Sequence, residues 1–137
     1  MALLRILVVD DNHLVRRLVS LMLEDAGHVC LEAESGEVAL ALAHADPPDL
    51  LLVDDAMPGM RGAEVVTALR RSPDLRLASL PVVGISGRPA ARVELFAAGA
   101  DVFVPKPIEE GALLAGIRAA LHAPRPGGAA PPGQPSA

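Results

Sequence analysis

The chain has 137 residues, 51% of them hydrophobic and 21% charged, with a formal net charge of −5. That is one globular domain's worth of sequence, with enough apolar side chain to bury a core. It holds no run of roughly 18 uncharged apolar residues to cross a membrane, no basic cluster to follow a phosphate backbone, and neither Trp nor Tyr to stack on bases, so neither a membrane nor a nucleic-acid partner is expected for this chain alone.

Residues 4–9 are an aliphatic run that predicts a buried strand, ending at Asp10-Asp11. Asn12 caps a helix over residues 13–26, in which Val15, Leu18, Val19 and Met22 follow the i, i+3, i+4, i+7 rule and which Gly27 ends. Leu14 and Leu21 fall off that stripe and are expected to be partly exposed. Residues 28–33 form a mixed strand suited to a sheet edge, with the only cysteine, Cys30, as a small apolar side chain in it. A lone cysteine excludes an intramolecular disulfide and suits a reducing cytoplasm, and a terminus that runs straight into a strand is no signal peptide. Ser35 opens a helix to about residue 44, packed by Val38, Leu40, Leu42 and alanines, and Pro47-Pro48 stops it.

The third strand runs from Leu50 to Asp54, and Pro58-Gly59 turns the chain toward a helix over about 62–71. A loose connection over 72–80 leads to a fourth strand, residues 82–85, followed by Ser86. The segment Ser86-Gly87-Arg88-Pro89 opens a fourth helix, which reaches Ala98 and ends at Gly99. A short fifth strand, 102–104, precedes Lys106-Pro107 and a last helix over 108–122. Arg16-Arg17 and Arg70-Arg71 fall within helical patterns and are expected on solvated faces. From 123 to 137 eight of fifteen residues are Pro or Gly, a composition that cannot pack a core, so a disordered tail is expected after a domain of residues 1–122.

Five alternating strand–helix units with short connections predict a doubly wound α/β fold, with a parallel five-stranded sheet between two layers of helices. Ligands of such sheets bind at the carboxyl ends of the strands. Asp10, Asp11, Asp54, Ser86 and Lys106 all follow strands, so three carboxylates, a hydroxyl and the chain's only lysine should converge on one spot. Three acids for a hard divalent cation, with a hydroxyl and an ammonium beside them, make a phosphoryl-transfer site. The four histidines, His13, His28, His44 and His122, share no ligand spacing, which argues against zinc.

Asp54 with Met57 at +3, Pro58 at +4 and Gly62 at +8, read with Asp10-Asp11, Ser86 and Lys106-Pro107, resembles the receiver domain of two-component response regulators over about residues 4–122. The resemblance implies a flavodoxin-like (βα)5 three-layer sandwich with strand order 2-1-3-4-5. It implies Asp54 as phosphoacceptor, and Mg²⁺, replaceable by Mn²⁺, held by Asp10, Asp11, Asp54 and the backbone carbonyl of Ala56. Ser86 and Lys106 would bind phosphoryl oxygens, with Ser86 and Phe103 as the switch pair and a cis Lys106–Pro107 bond. Ala56 and Arg88 occupy positions that in the family tune the lifetime of the acyl-phosphate, and Asp55 is expected to be solvated or peripheral to the metal.

The implied partners are a histidine kinase or histidine phosphotransfer protein and a downstream protein target. The target would be met on the fourth helix, fifth strand and fifth helix, by a monomer or a weak phosphorylation-dependent dimer. No catalysis is expected beyond the chain's own phosphorylation and dephosphorylation. No output domain follows the last helix, which fits either a stand-alone regulator or a receiver cut from a longer protein. An aspartate-nucleophile phosphatase of the haloacid-dehalogenase type would want an acid at +2, where Ala56 stands. A flavin carrier would want aromatics to sandwich the flavin and a Ser/Thr/Gly-rich first loop, whereas this chain has no Trp or Tyr, two Phe and no such loop.

Overall fold

The computed structural model describes residues 3–124. The expected tail lies outside the described residues from position 125 onward. The elements run β1 (Arg5–Val9), α1 (His13–Asp25), β2 (Val29–Ala33), α2 (Gly36–Ala45), β3 (Leu50–Asp54), α3 (Gly62–Arg70), α4 (Leu75–Ala78), β4 (Val82–Ser86), α5 (Ala91–Ala98), β5 (Val102–Pro105) and α6 (Glu110–Leu121). The sheet is parallel, as the alternating pattern predicted, with the order β2-β1-β3-β4-β5 that the family resemblance implied.

Alternation along the strands divides the core in two, because successive side chains of a strand point to opposite faces. Leu7, Val9, Leu51 and Val53 pack with Ala39, Val65, Val66, Leu69, Leu77 and Leu95 from α2, α3, α4 and α5. Ile6, Val8, Leu50, Leu52, Val83 and Ile85 pack with Val19, Leu23, Leu113 and Ile117 from α1 and α6. β3 is buried along its whole length, Asp54 included. A core aliphatic side chain of this kind contributes about 1.5–3 kcal/mol on burial, so the sheet can hold a charged residue at the end of its central strand.

Several expectations need correction. The connection over 72–80 contains a one-turn helix, α4, capped by Asp74 and anchored by the buried Leu77. α5 and α6 begin later than expected, at Ala91 and Glu110. In α1 the inward residues are Val19, Ser20 and Leu23, so Leu18, assigned to the core stripe, is 56% exposed. In α2 the small residues Gly36, Ala39 and Ala43 face inward, while Val38 is exposed. A Cβ at Gly36 would meet Val65 and Met60, which shows how closely α2 lies against α3.

Two arginines expected on solvated faces are structural. Arg16 pairs with Glu32 at 3.0 Å and donates to the Asp10 carbonyl at 2.8 Å, tying α1 to β2 and to the end of β1. Arg70 donates to the carbonyls of Gly99 (2.8 Å), Leu80 (2.7 Å) and Ala78 (3.1 Å) and to the Asp101 carboxylate (3.2 Å). The Ala78 and Gly99 carbonyls end α4 and α5, where no helical partner remains to satisfy them, and the Leu80 carbonyl lies in the turn between α4 and β4.

Candidate functional site

Parallel pairing brings the carboxyl ends of β1, β3, β4 and β5 to one rim of the sheet, and a cleft of about 360 Å³ opens there. It is lined by Asp10, Asp11, Asn12, Asp54, Asp55, Ala56, Ser86, Gly87, Arg88 and Lys106. Every polar residue expected at the site is therefore present in one place, with Ala56 beside them. Phe103 does not line the cleft; it lies half-buried in β5, in register with Gly84.

Asp10, Asp11 and Asp54 each present a carboxylate oxygen within 4.8 Å of the others. Oxygens on opposite sides of a Mg²⁺ ion stand about 4.2 Å apart, since each bond is about 2.1 Å. Hard carboxylate donors at this separation fit a divalent cation such as Mg²⁺ or Mn²⁺. Asp10 and Asp54 are buried and Asp11 is exposed, which leaves one side open to water. The Asp10 side chain also accepts a 2.9 Å bond from the Asn12 N–H, which fixes the first turn of the loop.

The Lys106 ammonium lies 2.8 Å from an Asp54 oxygen and 3.4 Å from Asp10. Burial opposes its charge, but the two carboxylates outweigh that and raise its pKa, so it is an ammonium throughout the neutral range. Burial raises the Asp54 carboxyl, the Asp10 and Asp11 charges add to the rise, and Lys106 offsets only part of it. A divalent cation would relieve the same repulsion. The Lys106 N–H donates to the Ser86 carbonyl at 2.9 Å, holding the β5 loop to β4, and the Lys106–Pro107 bond is cis.

Asp55 corrects the sequence reading. It is 0% exposed rather than solvated. Its carboxylate receives Arg88 at 3.2 Å, Arg61 at 3.3 Å and the Ser86 hydroxyl at 3.4 Å. Arg61 and Arg88 both reach on to Glu94 of α5, at 3.3 and 3.0 Å. The Ser86 Oγ meanwhile accepts the Arg88 N–H at 2.9 Å, so Ser86 caps its own turn and not α5. Sequence reasoning missed Asn12 as a lining residue and Asp55 as a partner of Ser86. The adjacency of Asp55 to Asp54 was the only local signal of the latter, and it does not indicate which strand end the side chain meets.

Beside the cleft lies a second, apolar hollow of about 220 Å³, lined by Val15, Leu18, Val19, Met22, Pro107, Ile108 and the stem of Lys106. Leu14 (78% exposed) and Leu21 (51%) stand on the same helix, exposed as expected.

A family model described as the response regulator receiver domain matches residues 6–118. The phosphate regulon transcriptional regulatory protein PhoB of Pseudomonas aeruginosa is 34% identical over 89% of this chain and 53% of its own length. Protein PilH of the same organism is 34% identical over 85% of this chain and 97% of its own. The chain thus spans about half of one relative and nearly all of the other. Among solved structures, the Vibrio cholerae chemotaxis protein CheY4 superposes with a TM-score of 0.80 at 32% identity, covering 88% of this chain and all of that one.

Proposed function

The chain belongs to the response regulator receiver domain family, whose members are signalling switches and not classical enzymes, and on that premise we propose that Asp54 is its phosphoacceptor. The observation that carries this reading is the position of Asp54. It is buried at the end of the central strand, within reach of two further carboxylates and 2.8 Å from the only lysine.

An Asp54 oxygen attacks phosphorus, the bond from phosphorus to the donor nitrogen or oxygen breaks, and the leaving group departs with the electron pair. Asp10, Asp11 and Asp54, with the Ala56 carbonyl, would hold Mg²⁺, which when bound neutralises charge between the carboxylate and the incoming phosphoryl group. Lys106 releases part of its hold on Asp54 and takes up a phosphoryl oxygen as a point charge. The Ser86 hydroxyl turns to a second oxygen, forming a charge-assisted hydrogen bond. Ala56 and Arg88 are exposed residues of the cleft lining, beside which water would approach the product.

The donor on this reading is a phosphohistidine of a kinase or phosphotransfer protein, docked over the α1 leucines and the adjoining apolar hollow. A downstream target reads the face built by α5, β5 and α6. Movement of Ser86 is relayed to Phe103, which packs against the core next to that face. Phe103 has no hydroxyl, so it signals by packing alone.

Incubation with acetyl phosphate should add one phosphoryl mass in Mg²⁺, and none after chelation or in Asp54→Asn. Unchanged labelling of Asp54→Asn without metal would refute the assignment.

A further inference from the structure

Asp55 is buried next to the reacting carboxylate, yet it takes no part in the phosphoryl transfer described above. Nothing in that chemistry requires an acid there. A buried carboxylate is costly unless paired and hydrogen-bonded, and this one is paired twice, with Arg61 and Arg88. Glu94 holds both guanidiniums from the far side, so the carboxylate is fixed from β3, from the turn before α3, from the β4 loop and from α5. Its remaining contact is with the Ser86 hydroxyl.

A serine hydroxyl has one proton to give. The Arg88 N–H occupies a lone pair of Ser86 Oγ at 2.9 Å, and the proton is directed at Asp55. While it points there it cannot serve a phosphoryl oxygen on Asp54. The contact to Asp55 is long, 3.4 Å against the usual 2.5–3.0 Å of such bonds. A correctly placed phosphoryl oxygen would therefore win, but only after displacing this hold.

Resting on the phosphoacceptor reading, we propose that Asp55, clamped by Arg61, Arg88 and Glu94, is a resting-state latch on the Ser86 hydroxyl and so sets the balance between resting and switched forms. Asp55 is a positioning residue here. The latch stabilises the unmodified state, so loosening it raises affinity for anything that mimics the phosphoryl group. It also ties α5 to the site by a second route, because Glu94 shares both arginines with Asp55.

The test is a double-mutant cycle read by beryllofluoride binding at saturating Mg²⁺, followed by fluorine NMR or calorimetry. Beryllofluoride stands in for a phosphoryl group on a carboxylate. Asp55→Ala removes the acceptor, and Asp55→Asn keeps its volume while weakening it. Each is combined with Ser86→Ala. Asp55→Ala should tighten binding about fivefold or more, at the lower end of coupling between linked sites, with Asp55→Asn between it and wild type. In the Ser86→Ala background the same changes should have little effect, since the proton they release is gone.

Removing a negative charge near an anion also raises affinity directly, but that contribution is equal in both backgrounds and cancels in the cycle. Equal tightening in both backgrounds, no tightening, or weakening would each overturn the latch. If wild type itself fails to bind beryllofluoride, the phosphoacceptor reading falls and the latch with it. Binding by wild type without coupling between Asp55 and Ser86 removes the latch alone.

Discussion

At Gly62, eight residues beyond Asp54, any side chain would collide with the Asp54 carbonyl oxygen. The spacing thus has a steric cause: the chain after β3 folds back over its own end, and the Gly62 N–H donates to the Asp55 carbonyl. The core of the site is legible because each residue follows an aliphatic run, and strand ends of a parallel sheet share a rim. The partners of Asp55 are not legible, because Arg61 and Arg88 reach it from two separate turns and are held from behind by Glu94 of α5. Elsewhere, His28 is buried, with its Nδ1 accepting the Leu4 N–H at 3.2 Å and its Nε2 without a partner among the described residues. Burial lowers its pKa, so the folded protein takes up this proton at lower pH than the unfolded chain, which protonates near pH 6.5. Stability from this residue is full above that value and is lost as pH falls toward the lowered folded pKa. Urea midpoints of wild type should drop between pH 7.5 and 5.5 by more than those of His28→Asn, whose amide oxygen can still serve Leu4. An equal drop in both would contradict this.

α1 shows how an element divides its surface between fold and function. Its inward face is Val19, Ser20 and Leu23, so Leu14, Leu18 and Leu21 remain outside, next to an apolar hollow that shares Lys106 with the site. On the proposed reading, a protein phosphodonor would cover that rim to reach Asp54, whereas a small donor would not. Leu14→Ser combined with Leu21→Ser should slow transfer from a phosphohistidine protein about tenfold, which corresponds to about 1.4 kcal/mol of lost contact. Labelling by acetyl phosphate should stay within about twofold, since the small donor makes no contact there. Equal loss with both donors would show damage to the fold instead. Strands and long helices are legible from hydrophobic period and caps, as Asn12 and Ser35 illustrate by accepting from Val15 and Val38. α4 is not, because four residues make a single turn with no period to read. The inward face of α1 is displaced because Ser20, a small polar residue, takes a core position that a hydrophobic stripe skips. Arg70 escapes notice for a related reason, since most of its acceptors are backbone carbonyls with no sequence signal.

Across the whole molecule, the sheet separates two helical layers and joins the site to the face of α5, β5 and α6 through β4 and β5. Gly84 leaves room for Leu95 of α5, and a Cβ there would strike it. Gly116 allows α6 equally close to Val104. On the proposed reading, packing this tight would transmit a shift of Ser86 as a discrete rearrangement, not a gradual one. With beryllofluoride and Mg²⁺, amide NMR shifts should extend from the cleft to residues 91–121. Shifts confined to the loops around Asp10, Asp54 and Lys106 would contradict that output face. No helix among the described residues is long and apolar enough to cross a membrane. The central claim is the identity of the phosphoacceptor, and three other aspartates, Asp10, Asp11 and Asp55, line the same cleft. Borohydride reduces an acyl-phosphate to the alcohol, which turns a phosphorylated aspartate into homoserine. Peptide mass mapping after labelling in Mg²⁺ and reduction should find homoserine at position 54 and nowhere else; homoserine at Asp10, Asp11 or Asp55 with position 54 unmodified would contradict the claim.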